Sequence, residues 1–179
     1  MKKIIFISVV AMLCFTCNNS PKEQEQETQK ITEVQEEKKS FVMTLHFKTN
    51  KDDVFKIMMN NIVVDELQTK NIHITEKVSP STGFDRITAK FDPDNISQEV
   101  FISLGNAEFK EVQIKSIDVS YGDKAISAST GDELNDYFAF NKHITFDALT
   151  NTIKTNKVDG THTPTIILRR KVINSFITE

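Results

Sequence analysis

The first hydrophobic stretch after Ser40 has a repeat of two residues. Every second residue from Phe41 to Phe47 is apolar, and the residues between them are mostly polar. Because side chains of a β-strand point alternately to opposite faces, this spacing predicts a strand with one face in a core. Similar short runs follow, at 71–78, 84–91, 100–104, 112–121, 143–146, 152–155 and 165–169. The body of the chain is therefore predicted to consist of strands.

Residues typical of turns separate these runs. Clusters of Gly, Pro, Asn, Asp and Ser occur at 79–83, 92–95, 105–106, 122–123, 159–160 and 163–164. Their side chains and backbone preferences favour chain reversal over continued strand. Short strands punctuated in this way predict an all-β fold for residues 41–179, an antiparallel β-sandwich of jelly-roll type with at most one or two short helices.

The segment 53–60 fits two structures. Its apolar residues alternate from Phe55 to Met59, which predicts a strand, joined to the preceding strand by a hairpin-like connection at 49–52. A helix is the alternative, because a helical face would collect Val54, Ile57, Met58 and Ile62.

Two further segments concern the second half of the body. The stretch Gly131–Phe138 carries Leu134 and Phe138 four residues apart, which predicts a short helical turn. The basic residues 169–171 are expected on the solvated side of a last strand, since a nucleic-acid surface would need more positive charge.

Composition narrows the class of protein. The 179 residues include 22 basic and 25 acidic side chains, for a net charge of −3, and 39% are hydrophobic. These values exclude a polytopic membrane protein and a wholly disordered chain, and they give no basic field for nucleic acid. The common signatures of serine hydrolases, zinc peptidases and P-loop nucleotide-binding proteins are absent from the sequence.

The N-terminus has the pattern of an export signal. Lys2 and Lys3 precede an apolar run too short to span a bilayer, and this run ends at Thr16-Cys17 before a polar segment. The junction resembles the lipobox of bacterial lipoproteins. That resemblance implies a signal peptide at 1–16, lipidation of Cys17, and anchoring to a membrane, expected to be the outer membrane. An ordinary secretory signal that leaves a free thiol is the alternative.

Residues 17–40 are dense in Glu, Gln and Lys, with Ile31 and Val34 as the aliphatic side chains after Cys17. Such a segment cannot bury enough apolar area to offset the entropy of ordering. It is predicted to be a disordered tether, and a charged helix is the alternative.

Four segments of the body resemble the jelly-roll, carbohydrate-binding-module-like domains of exported Bacteroidetes-type lipoproteins. They are Phe41–Phe47, Lys51–Phe55, Phe91–Pro93 and Val112–Gly122. The resemblance implies a non-catalytic β-sandwich. Some such domains bind glycans through aromatic side chains or a calcium ion held by loops.

The candidate ligand-binding residues are aromatic and acidic side chains near predicted chain reversals. Aromatic faces can stack on sugar rings, and carboxylates can accept hydrogen bonds from hydroxyl groups. The candidates are Tyr121, Asp123, Asp132, Tyr137, Phe138 and Phe140. Burial of Phe138 and Phe140 as a plug at the end of the sandwich is the alternative. Calcium is the one cofactor considered, and its weak candidate ligands are Asp92, Asp94 and Asn95.

These observations predict a non-catalytic, lipid-anchored envelope protein, with its domain in the periplasm or at the cell surface, that binds a glycan or another envelope component. An assembly protein that docks a protein partner is the first alternative, and an envelope enzyme such as a glycoside hydrolase is the second. A glycan binder should expose a cluster of aromatics, whereas an assembly protein should show an apolar patch or an unpaired edge strand.

Overall fold

The computed structural model describes residues 39–93 and 95–178. The predicted signal peptide, Cys17 and all of the predicted tether except Lys39 and Ser40 lie outside these residues. The elements are β1 (Phe41–Thr49), β2 (Asp53–Val63), β3 (Thr69–Val78), β4 (Asp85–Phe91), β5 (Glu99–Ser103), β6 (Glu111–Tyr121), β7 (Lys124–Ala128), α1 (Gly131–Tyr137), β8 (Phe138–Phe140), β9 (Ile144–Asp147), β10 (Thr152–Thr155), β11 (Thr165–Leu168) and α2 (Arg170–Ile177).

The strands form two antiparallel sheets. The first sheet has the order β4-β1-β6-β10-β9, and β7 pairs with β6 beside it. The second sheet has the order β3-β2-β5-β11-β8. The prediction of an all-β antiparallel sandwich with two short helices is confirmed. Within the described residues, no helix is long and apolar enough to cross a membrane.

Alternation along β1 and β2 builds the centre of the core. Every second side chain is buried along β1 and from Asp53 to Met59 of β2, and the rings of Phe47 and Phe55 pack with their centroids 5.1 Å apart between the sheets. Residues 53–60 are thus a strand, as predicted. The predicted hairpin-like connection is wrong, because β1 and β2 lie in different sheets and residues 50–52 carry the chain across the core.

The helix α1 begins with a capping box. The Thr130 hydroxyl accepts from the amide of Glu133, and the Glu133 carboxylate accepts from the amide of Thr130. Backbone amides of Ser129 and Thr130 lower the pKa of Glu133, because their hydrogen bonds favour the carboxylate. The predicted helical turn at 131–138 is confirmed, with Leu134 buried beneath it.

The C-terminal basic residues do not lie on a strand. Strand β11 ends at Leu168, Arg169 is the N-cap of α2, and Arg170 and Lys171 lie in the first turn of the helix. The cause is the apolar spacing that follows: Val172, Ile173 and Phe176 form one buried helical face. The expectation of a solvated last strand at 169–171 is therefore corrected.

A buried ion pair holds the start of β2 to the loop before β6. The Lys110 ammonium lies 2.6 Å from Oδ2 of Asp53, whose Oδ1 accepts from the amide of Val54 at 2.7 Å. Gly105 passes close by with φ of +74°, and a Cβ there would lie 2.0 Å from Oδ1 of Asp53. Only glycine can adopt this positive φ with its backbone so close to the Asp53 carboxylate.

Candidate functional site

The aromatic residues predicted to bind a ligand lie against the core. Phe138, in β8, is 1% exposed, so its ring has no open face to offer a sugar. Tyr121, Tyr137 and Phe140 are half-buried and pack on core residues. The ring of Phe140 stacks on that of Phe146, with centroids 4.4 Å apart, where the two sheets meet. These four side chains do not form an exposed aromatic platform.

The two predicted acidic ligand contacts are apart from one another. Asp123 is exposed in the turn between β6 and β7, and Asp132 is exposed in the first turn of α1. The five residues of β7 separate these positions, a distance of roughly 17 Å along a strand. The two acidic side chains therefore lie beyond opposite ends of β7.

Of the predicted calcium ligands, Asp92 lies beside the start of β1. Asp92 accepts a hydrogen bond of 2.5 Å from the Ser40 hydroxyl, and its carboxylate lies 4.0 Å from the Lys90 ammonium. Asn95 is exposed, and Asp94 lies outside the described residues. Among the residues that are described, no group of three or more His, Cys, Asp or Glu side chains could hold a metal ion.

An apolar row crosses the outer face of the second sheet. Phe101 of β5 pairs with Ile167 of β11, which pairs in turn with Ala139 of β8. Their strand neighbours Ile102 and Ile166 fill the core, so alternation turns Phe101 and Ile167 outward. Ile167 is 38% exposed. The row forms the floor of a shallow groove of about 580 Å³.

Polar and charged side chains form the rim of this groove. Nε of Arg169 donates to the carbonyl oxygens of Phe138 at 2.9 Å and Asn135 at 3.2 Å, which fixes the guanidinium beside β8. Arg170 is exposed next to it. The Glu99 carboxylate accepts a hydrogen bond of 2.7 Å from the side-chain amide of Asn61. The groove is lined by Gln98, Glu99, Phe101, Ala139, Asn141, Thr165, Ile167, Leu168, Arg169 and Arg170.

Few of the described lining residues carry an ionisable side chain. Among the described residues that line the groove, Glu99 is the one carboxylate, and there is no histidine, cysteine or lysine. The described lining residues thus include no pair of carboxylates across a cleft of the kind used in acid and base catalysis. Arg169 and Arg170 bring two positive charges to the rim, and Glu99 brings one negative charge. The rim therefore favours an anionic group in the occupant.

The sequence contained a signal for this groove. Val100, Phe101 and Ile102 are consecutive apolar residues, as are Ile166, Ile167 and Leu168. A strand that is apolar on both faces is typical of a sheet covered on both sides. In the part of the chain that the structure describes, no element covers the outer side chains, so these apolar runs indicate an exposed apolar surface there.

Comparisons of the chain with protein-family models, with curated proteins and with solved structures found no match in any of the three.

Proposed function

We propose that the chain is a non-catalytic, lipid-anchored envelope protein whose sandwich docks another envelope protein through the groove on β5, β11 and β8. The apolar row Phe101, Ile167 and Ala139 is the observation that carries this proposal. Exposed apolar surface with a polar rim is typical of protein docking sites. The lipid anchor in this proposal rests on the Thr16-Cys17 junction of the sequence.

The composition of the groove favours a protein partner over a glycan. Its floor holds a single aromatic ring, Phe101, beside the aliphatic Ile167 and the small Ala139. Sugar rings are bound mainly by stacking on aromatic faces, whereas aliphatic side chains pack against a branched aliphatic floor. A docking partner is therefore the better fit for the groove.

The rim specifies the chemistry of the partner. Arg169 and Arg170 stand at one end of the apolar floor, where they can bind a carboxylate with charge-assisted hydrogen bonds. We infer that the occupant is a segment with a Leu, Ile or Phe side chain close to an Asp or Glu. The groove volume of about 580 Å³ accommodates a few side chains.

A displayed library of random peptides, selected on the full chain, tests this proposal. The selected peptides should be enriched in an aliphatic or aromatic residue next to an acidic one. Ile167→Glu should abolish their binding, because a carboxylate would occupy the apolar floor. Leu149→Glu is the matched control, since Leu149 is 97% exposed and does not line the groove.

Charge reversal tests the rim separately. Arg170→Glu should reduce the binding of the acidic peptides about tenfold or more and shift the selection toward basic ones. A glycan that binds the wild-type chain and is lost in Ile167→Glu, with no peptide enriched, would instead support sugar recognition. If Ile167→Glu changed the binding of neither peptides nor glycans, the groove would be excluded as the binding site.

A further inference from the structure

Strand β3 is an edge with no strand beside it in the described residues. It pairs with β2 along its length and with no other strand on its opposite side. It runs for ten residues, whereas β8 at the other edge of the same sheet has three. It contains neither proline nor glycine. Natural sheets usually shorten, bend or block such an edge, because its backbone groups can pair with another strand.

The inward face of β3 leaves part of its apolar surface exposed. Ile72 and Ile74 pack against the core, but both remain only half-buried because no strand covers them from the side. A strand added at this edge would bury more of both side chains. The structure thus offers backbone groups and apolar surface to the same partner.

We propose that two copies of this chain pair antiparallel along β3, about a two-fold axis at His73. In this register Lys70 of each copy lies opposite Glu76 of the other, and Ile72 lies opposite Ile74. The outward row pairs Asn71 with Thr75 and His73 with itself. All these positions belong to β3 and lie exposed or half-buried in the single chain.

Charge favours the register about His73. Pairing about His73 overlaps residues 69–77 and gives two Lys70 to Glu76 contacts, one on each side of the axis. A register shifted by one residue would instead set Lys70 opposite Lys77. Like charges directly opposite each other across a strand pair are unfavourable. The register about His73 is the one that sets Lys70 opposite Glu76, so the strand is complementary to itself in charge there, as an isologous interface requires.

The tip of the β2–β3 hairpin adds a second contact. Leu67 is 95% exposed, with Val63 and Val64 exposed beside it. The same register brings Leu67 opposite Ser79 of the second copy. There a cleft of about 390 Å³ lies between the ends of β3 and β4, lined in part by Val78, Pro80 and Ile87. The symmetry makes this contact twice.

The pairing is compatible with two anchors in one membrane. In the proposed register Thr69 of each copy lies opposite Lys77 of the other, so the two Thr69 residues are roughly 27 Å apart along the strands. The residues from Asn18 to Ser40 reach at most roughly 75–80 Å when extended.

Cysteine cross-linking of the full chain tests the register, in a background with Cys14→Ser and Cys17→Ser. His73→Cys should give a covalent dimer under mild oxidation, since directly opposed residues lie within disulfide range. Asn71→Cys and Thr75→Cys should not cross-link singly, because each lies roughly 14 Å from its own copy across the axis. The two substitutions combined should cross-link efficiently.

Charge exchange tests the same interface without a covalent bond. Lys70→Glu and Glu76→Lys should each weaken dimerisation of the full chain about tenfold in sedimentation experiments, since two cross-strand pairs become repulsive. The double variant should restore it. A monomeric wild-type chain at every concentration, or cross-linking of Thr75→Cys as efficient as that of His73→Cys, would overturn the proposal.

The hairpin tip has its own control. Leu67→Asp should weaken the dimer, whereas Leu149→Asp, at a residue that is 97% exposed, should not. Loss of vesicle binding with unchanged dimerisation in Leu67→Asp would show that the tip contacts lipid instead. Ile167→Glu should leave dimerisation unchanged, which separates this interface from the groove proposed above.

Discussion

The Lys110 ammonium and the Asp53 carboxylate lie 2.6 Å apart, with side chains that are 0% and 3% exposed. The two residues are distant in sequence, and their contact joins the start of β2 to the loop that leads into β6. Oδ2 of Asp53 also accepts from the amide of Ala107 at 3.1 Å. The pair therefore orders the 104–110 loop as well as compensating two buried charges.

Removal of one partner should be far more damaging than removal of both charges. Lys110→Met leaves the Asp53 carboxylate buried without its cation, and we expect a loss of about 3–5 kcal/mol in the free energy of unfolding. Asp53→Asn combined with Lys110→Met should recover part of this loss, because the amide keeps an acceptor for the Val54 backbone. Urea unfolding of the three chains measures the effect. A loss below about 1 kcal/mol in Lys110→Met would contradict the buried pair.

Acid should weaken the same contact. Burial raises the pKa of Asp53, but the hydrogen bond from Lys110, the Val54 amide and the Lys110 charge together hold it below its ordinary value of 3.8. The unfolded chain then binds more protons than the folded chain as the pH falls toward and below 3.8, so this stabilisation is present above that value and lost beneath it.

Unfolding free energies of the wild type and Asp53→Asn, measured from about pH 6 to pH 2.5, isolate this contribution. Asp147 also has a lowered pKa, from hydrogen bonds of Thr150 and the Leu149 amide, and contributes to the background in both chains. The difference between the two curves should shrink at the acid end. A constant difference across the range would show that Asp53 does not titrate differently in the two states.

Cys17→Ser should release the protein from the membrane fraction and abolish labelling by a fatty-acid probe. The reason is that the lipobox-like junction makes Cys17 the predicted acceptor of the lipid. Cys14→Ser is the matched control and should leave both unchanged. Continued labelling of Cys17→Ser would contradict the lipoprotein prediction.

The strands that were predictable are those with complete alternation. Residues 41–47 and 53–60 bury every second side chain, so the burial pattern can be read directly from the residue types. Strand β7 was not predicted, because Lys124–Ala128 contains one large apolar residue, Ile126. In the described residues this strand pairs with β6 alone. Helix α2 was not predicted, because its basic first turn directly follows the apolar residues of β11 and was assigned to the same strand. Only the spacing of Val172, Ile173 and Phe176 indicates a helix.

The candidate groove could be predicted only in part. Consecutive apolar residues in β5 and β11 indicate strands with apolar side chains on both faces. Nothing in the sequence shows that β5, β11 and β8 are neighbours, because Phe101, Ala139 and Ile167 are brought together by pairing across long chain separations. The burial of the predicted aromatic residues could not be predicted for a related reason: closeness in sequence to a turn does not place a ring on the surface, and Phe138 is buried.

Strand β3 belongs to the same sheet as the groove, and this has a consequence for avidity. A two-fold axis perpendicular to that sheet would join two five-stranded sheets edge to edge and keep both outer faces on one side. The two β11 strands would then stand seven strand spacings apart, roughly 30–35 Å. A partner with two suitable segments could engage both grooves at once, so that a weak single contact becomes a lasting attachment.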